Sequence, residues 1–365
     1  MHLANKIAIL NSRQNMRPTG ADRWVSQTES AVKYAVDINC IIMTSVGMTS
    51  WEVVLYFATK YRADIELYLP LDKEDDENEA ILNYIEQFHL NDKKIRWKFI
   101  KISNFKKDKH FFQQQRDKII IESADSVWPI SIRQNSSLKK YFNGKIIDNK
   151  FKISYSKPIS SAKIEIDTNK IVNSIDAQLK DYLIHWTRAS NSPWPGETIY
   201  KFYDSILSLD GNYSHDGIET LKRILTENKL RASSRHLRKG ASAVAFSSLC
   251  PSRATELMKW RLRYHEMSFE PYGLAIRKDV AEKIGVRKVL YGNPEMYQYL
   301  DDGDRPYFQN MGTIGDWLPE QEYRHLGNIN LLSIPNEAMA VIVFRKNDID
   351  KIRPVFAGQI YSLYD

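Results

Sequence analysis

Glu320, Glu322 and Arg324 in the run DWLPEQEYR are the residues whose spacing most suggests chemistry. Side chains alternate along an extended chain, so these three share one face and place two carboxylates about 7 Å apart. Such a pair repels itself and raises at least one pKa unless Arg324 or a cationic ligand offsets it. The ordinary alternative is a solvated E-x-E-x-R ladder on a surface strand. Two more polar features lie inside apolar runs, His185 in LIHWT and Ser247 in AVAFSS. A histidine between Ile and Trp is either a hydrogen-bonded core residue or a group that can exchange or hold a proton. Ser247 alone is uninformative.

A second set of residues lies near the N-terminus. An apolar run ends in Asn11-Ser12-Arg13, and another ends in Thr44-Ser45-Val46-Gly47-Met48-Thr49-Ser50 before Trp51 and Glu52. Small hydroxyl residues and a glycine let backbone N–H groups approach an anion, and a helix N-terminus favours negative charge. Arg13 and Arg133, each following an apolar run, would clamp phosphate oxygens. The bland alternative is a capped helix with a glycine turn. The phosphate-loop pattern G-x-x-x-x-G-K-[ST] and the fingerprint G-x-G-x-x-G are both absent, as are H-E-x-x-H, G-x-S-x-G and any zinc spacing of cysteines.

The elements that must position these residues fall into two textures. Strands are expected at Lys6–Leu10, Cys40–Thr44, Ile65–Leu69, Arg96–Ile102 and Ser126–Ile132. Helices are expected at Asp22–Val36, Ser50–Lys60, Ala80–Phe88, Phe111–Ser123 and, briefly, Ser137–Phe142. This alternation predicts a doubly wound parallel sheet with helices on both faces. Beyond Gly144 the chain turns Lys- and Ser-rich, and 146–180 reads as a connecting segment with at most one or two edge strands. From 181 on, strands at LIHWT, AVAFSS, YGLAI, KVLYG, 329–334 and 339–345 with helices at 198–208 and 217–227 predict an α+β domain dominated by antiparallel strands. The expected division is 1–145, 146–180 and 181–365.

Length and composition bound the rest. At roughly 150 residues per domain, 365 residues suggest two domains. A hydrophobic content of 43% and a charged content of 27% exclude collagen-like, mucin-like and wholly disordered chains. The net charge of +7 suits a nucleic-acid or nucleotide-phosphate partner without requiring one. Basic residues cluster at Lys229, Arg231, Arg235, His236, Arg238, Lys239, Arg253, Arg261 and Arg263, either a solvated loop or the border of a phosphate-bearing ligand. Cys40 and Cys250 cannot staple so large a fold, no signal peptide is evident, and no apolar run reaches the ~18 residues of a membrane span, so a cytoplasmic protein is expected.

Residues 5–142, through IAILNSR, TSVGMTSWEVVLYFA and RDKIIIESADSVWPISIR, resemble the SLOG superfamily, a Rossmann-like group that includes DNA-processing protein A and nucleotide-sensing domains of antiphage systems. The acidic signature of its phosphoribohydrolase members is missing. The resemblance therefore implies binding of a nucleotide or nucleic acid at Ser12, Arg13, Ser45, Gly47, Thr49 and Arg133, not hydrolysis.

Residues 182–345 resemble the ADP-ribosyltransferase fold of bacterial toxin and abortive-infection proteins, through the order HWT, LKRILTENKLRAS, AVAFSS, YGLAIRKDVAEKIGVRKVLY and the Trp-preceded EQEYR. The resemblance implies a split antiparallel sheet with helices and NAD as substrate. It makes Glu322 the carboxylate against the ribose 2′-OH, with Glu320 orienting the nucleophile. His185, Thr187 and Ser247 would hold riboses, and Tyr272 or Trp317 would stack on the nicotinamide. The chain departs from the pattern in a long insertion between Thr187 and Leu221 and in lacking a clean Ser-Thr-Ser. Together the resemblances imply an antiphage or stress effector that couples nucleotide or nucleic-acid binding to ADP-ribosyl transfer or NAD hydrolysis. The acceptor would be nucleic acid or protein, without a membrane or a bound metal, and a homo-oligomer is compatible. Two alternatives stay open: a non-enzymatic scaffold with a degenerate transferase domain, and catalysis on nucleoside phosphates by the N-terminal domain.

Overall fold

The computed structural model describes residues 5–101, 109–156, 163–208, 213–234, 237, 241–261, 266–311 and 321–365. The chain forms two compact units, one from 1–160 and 191–214, the other from 161–190 and 215–365.

The first unit alternates strands and helices because its apolar runs are strand-length and uninterrupted. They form β1 (Lys6–Asn11), β2 (Ile41–Ser45), β3 (Asp64–Leu71), β4 (Ile95–Lys101), β5 (Ser126–Ser131) and the short β6 (Ile146–Ile147). The strands pair in parallel in the order β4-β3-β2-β1-β5-β6. Every residue of β2 and β5 is buried, as expected for a parallel sheet covered on both faces. Helices α1 (Arg23–Asp37), α2 (Thr49–Lys60), α3 (Glu77–Phe88) and α4 (Lys109–Ser123) connect the strands. Asp76 caps α3 by accepting from the N–H groups of Asn78 and Glu79, so the acidic run expected to lead the helix forms its first turn. Strand order reverses between β1 and β5, which puts the crevice of the sheet at their carboxyl ends.

Residues 191–214 correct the expected division. Helix α5 (Ile199–Ser208) buries Phe202, Tyr203, Ile206 and Leu207 in the core that also holds most of α2. This extra layer explains why α2 is buried nearly all round, from Trp51 through Val53 to Ala58. The Tyr56 hydroxyl donates to Asp204 at 2.6 Å, and the Tyr203 hydroxyl donates to Glu52 at 2.6 Å. Most of the long insertion noted between Thr187 and Leu221, residues 191–214, is thus a piece of the first unit.

The second unit is built on a seven-stranded sheet. Its strands are β7 (Tyr182–Trp186), β8 (Ala243–Ser247), β9 (Gly273–Arg277), β10 (Arg287–Lys288), β11 (Glu322–Leu326), β12 (Met339–Arg345) and β13 (Gln359–Tyr364), in the order β10-β11-β8-β7-β9-β12-β13. All pairs are antiparallel except β12 with β13. Alternate residues feed two cores. Leu183, Leu274, Ile276, Val341 and Val343 pack with Leu221 and Leu225 of α6 (Gly217–Glu227). Ile184, Trp186, Ala275, Ala340 and Ile342 pack on the other side with Ile171, Ile175 and Leu179. Residues 164–180, read as part of a connection, therefore contribute to this second core, and the Val172 N–H donates to Leu363 O at 2.9 Å. The strand expected over 329–334 stops at Asn330, whose side chain accepts from the Leu332 N–H and turns the chain into a short 3₁₀ helix. Among the described residues no helix is long and apolar enough to cross a membrane.

Candidate functional site

In the second unit β7 and β8 are registered at one position, Ile184 opposite Ser247. On the other side of β8, Ser247 stands opposite Glu322 of β11. Directly paired residues of antiparallel strands share a face, so Ser247 and Glu322 point the same way. Where the β7–β8 pairing stops, His185 Nδ1 instead meets Ala245 O at 2.8 Å. A cavity of about 260 Å³ opens at this divergence, and His185, Ser247 and Glu322 all line it.

The electrostatics of the cavity are lopsided. Arg188, Arg231, Arg261 and Arg324 line it with Glu322 as its one carboxylate among the described residues. Arg188 lies 3.6 Å from Glu266, and Arg231 lies 3.1 Å from Glu227. Arg324 is nearly sealed at 4% exposure and grips Glu322 with two charge-assisted bonds, Nε to Oε1 at 2.7 Å and Nη2 to Oε2 at 3.0 Å. Its remaining donors reach Pro306 O at 3.0 Å and Gln309 Oε1 at 2.8 Å. Arg324, two residues further along the same strand, is therefore the counter-ion of Glu322. Burial holds the His185 imidazole below its usual pKa, against the pull of the Ala245 carbonyl, and Arg188 lowers it further. A carbonyl can only accept, so Nδ1 carries the proton and Nε2 is left as an acceptor.

Not every expected residue belongs to this cavity. Thr187 is buried with its hydroxyl spent on the Gly217 carbonyl at 2.8 Å, while Tyr272 donates to Asp348 at 3.4 Å, and neither lines the cavity. Glu320 and Trp317 lie outside the described residues, as do Arg235, His236, Arg238, Lys239 and Arg263 of the basic cluster. Arg188 and Gln309 are cavity residues that sequence reasoning passed over, because one follows the His-x-Thr signature and the other sits in an unpatterned loop.

Thr187 and Tyr272 border a buried acidic group. Glu270 accepts from the Ala189 N–H at 3.0 Å and from the Gly217 N–H at 2.8 Å, pinning the chain after β7 to the start of α6. Asp216 caps α6 through the Glu219 N–H at 2.9 Å. Burial pushes the Asp216 carboxyl up to about 6, and Glu270 and Glu219 add to this. A folded-state pKa above the unfolded one gives stability that is complete at low pH and is lost as pH rises towards 6. Asp216→Asn keeps the cap acceptor and removes the titration. The stability of Asp216→Asn minus that of the parent chain should rise between about pH 4 and 6 by roughly 1.4 kcal/mol per pH unit and then level off. Urea unfolding at several pH values measures this, and parallel curves would show that Asp216 titrates normally.

The expected anion loop of the first unit is largely self-satisfied. The Ser45 hydroxyl donates to Tyr68 O at 2.6 Å. Gly47 adopts φ +85°, the left-handed turn that favours glycine, but its N–H donates to Glu52 Oε1 at 2.8 Å. A carboxylate of the protein thus occupies the place at the start of α2 that a ligand anion would take, and Thr49 opens that helix. Ser12 ties the ends of β1 and β5 together, its N–H donating to Ser131 O at 2.9 Å and its hydroxyl oxygen accepting from the Arg133 N–H at 3.0 Å. Arg13 and Arg133 are exposed. Buried Arg116 of α4, unremarkable in the sequence, holds the loop from beneath by donating to Val46 O at 3.1 Å.

No protein-family profile matches the sequence, and no curated protein is similar to it. Among solved structures, DNA processing protein A from Helicobacter pylori, described for its single-stranded DNA binding mode, aligns with 14% identity and a TM-score of 0.27. The alignment covers 38% of this chain and 60% of that one, so the chain spans about three fifths of its neighbour's length. The functional reading of the chain rests on its own geometry.

Proposed function

We propose that the second unit binds NAD in the His185–Ser247–Glu322 cavity and breaks its nicotinamide–ribose bond, passing ADP-ribose to an acceptor or to water. The observation that carries this reading is that His185, Ser247 and Glu322, distant in sequence, all line one arginine-lined cavity. The arginines suit a pyrophosphate. The Nε2 acceptor of a neutral His185 suits a ribose hydroxyl. As the glycosidic bond breaks, its electron pair leaves with nicotinamide and positive charge grows on the ribose. A carboxylate at Glu322 interacts more strongly with that charge than with the ground state, which is what acceleration requires. The largely antiparallel seven-stranded sheet would serve this chemistry as its scaffold, and the first unit, with its parallel sheet, would bind the phosphate of a nucleotide or nucleic acid.

Titration of the full chain with NAD tests the reading. Binding is expected, and His185→Phe should weaken it about tenfold, the worth of one lost hydrogen bond of about 1.4 kcal/mol. No heat with the parent chain would overturn it. A second reading draws on the two bonds that tie the Glu322 carboxylate to Arg324: a module that binds NAD without cleaving it. Intact NAD recovered after prolonged incubation would favour that alternative.

A further inference from the structure

The loop leaving β1 carries a cation buried without a counter-ion among the described residues. Arg17 is only 9% exposed. Its Nε donates to Asn191 Oδ1 at 2.6 Å, and its guanidinium lies 5.5 Å from the ring centre of Tyr213. Both are neutral, and no carboxylate pairs with it among the described residues. Its Nη2 is sealed from solvent with no acceptor. Buried charges are ordinarily paired, because desolvation otherwise drives them out. Asn11, ending β1 at 6% exposure, gives its Nδ2 to Thr28 Oγ1 at 3.0 Å and leaves its buried Oδ1 unpartnered. One loop therefore combines a donor lacking an anion with an acceptor lacking a donor, at the crevice end of the sheet.

Asn191 and Tyr213 come from the 191–214 excursion, which closes over Arg17 within the first unit. Exposed Arg13 and Arg133 follow the two strands that flank the crevice. Gly47 and Ser45 are already engaged, so the anion requirement of this unit falls on Arg17.

We propose that Arg17 is the anchor of a phosphate site, roofed by Asn191 and Tyr213, that takes the terminal phosphate of a nucleotide. The proposal rests on the reading of the first unit as a phosphate binder. A sealed guanidinium suits a compact end group that the excursion can close over, rather than the running backbone of a nucleic acid.

Hydrogen exchange of the full chain tests it, with ADP, pyrophosphate and an oligothymidylate lacking terminal phosphates as probes. ADP and pyrophosphate should slow exchange in peptides covering 191–208, by up to roughly a hundredfold at a hundred times the dissociation constant, where opening requires release. The oligothymidylate should not. Arg17→Gln should abolish the effect. Asn191→Asp places a carboxylate against the guanidinium and should suppress the ADP effect while raising the melting temperature, which keeps the test decisive if Arg17→Gln misfolds. Protection by ADP that persists in Asn191→Asp or in folded Arg17→Gln would overturn the Arg17 site while leaving phosphate binding by the unit intact. No protection by any probe would overturn both, and protection by the oligothymidylate alone would replace the nucleotide with a nucleic-acid backbone.

Discussion

On the proposed chemistry, Glu322→Gln should lower NAD cleavage by about 10²- to 10³-fold while changing NAD affinity only a few-fold, because the carboxylate would act on charge that develops as the bond breaks. Glutamine keeps an oxygen that can still accept from Arg324, so the local fold survives, but it has no charge to set against an oxocarbenium-like ribose. Arg324 itself stays held by Pro306 O and Gln309 Oε1. Glu322→Ala is the poorer probe. It leaves a guanidinium that is 4% exposed without its carboxylate, and stability changes of about 3–5 kcal/mol then mix with any catalytic effect. Single-turnover release of nicotinamide, with binding measured in parallel, separates the two quantities. Equal turnover in Glu322→Gln and the parent chain would remove Glu322 from the chemistry. Arg324→Lys sharpens the interpretation, because a point charge cannot reproduce the two-bond grip that fixes the carboxylate plane. A drop in turnover at unchanged affinity would mark Arg324 as a positioning residue.

The parallel half of the fold was legible because its signals are local. Uninterrupted apolar runs at Ile7–Leu10 and Ile41–Met43 can form little but buried strands, and the acidic run ahead of Ala80 announces a helix start. The partition of the chain was not legible. The amphipathic pattern of Ile199–Ser208 says that one face will be buried but not in which core, and the partner surface, Trp51 to Ala58, lies about 150 residues earlier. The convergence of His185, Ser247 and Glu322 could be guessed only from their order, since strand pairing across 60 to 140 residues leaves no local trace. At the first-unit loop, residue types proved ambiguous. Hydroxyls and a glycine suited to an anion serve equally well to satisfy carbonyls and an internal carboxylate, and the structure uses Ser45 and Gly47 in that second way. Nothing in the sequence singles out Arg17 or Arg116, because burial of a charge depends on what folds over it.

Arg116 supplies the largest stability effect expected in the first unit. It is 1% exposed, donates to Val46 O at 3.1 Å and to Asp117 Oδ1 at 2.9 Å, and lies 5.5 Å from the ring centre of Trp51. Trp51 in turn donates to Asp117 at 3.0 Å. Burial raises the Asp117 carboxyl above its ordinary pKa even with Arg116 beside it, so desolvation outweighs attraction at this pair. Breaking such a pair on one side costs more than replacing both partners, because a single deletion strands the other charge. Arg116→Met should therefore destabilise the unit by about 3–5 kcal/mol, and Arg116→Met with Asp117→Leu should recover a substantial part of that loss. The recovery should be incomplete, since Val46 O lacks its partner in both variants, Trp51 Nε1 loses Asp117 in the double variant, and an unmade buried bond costs about 1–3 kcal/mol. Urea midpoints for the parent, the two single variants and the double variant close the cycle. An Arg116→Met chain within about 1 kcal/mol of the parent would mean that water reaches the pair, and with it the loop that Arg116 supports.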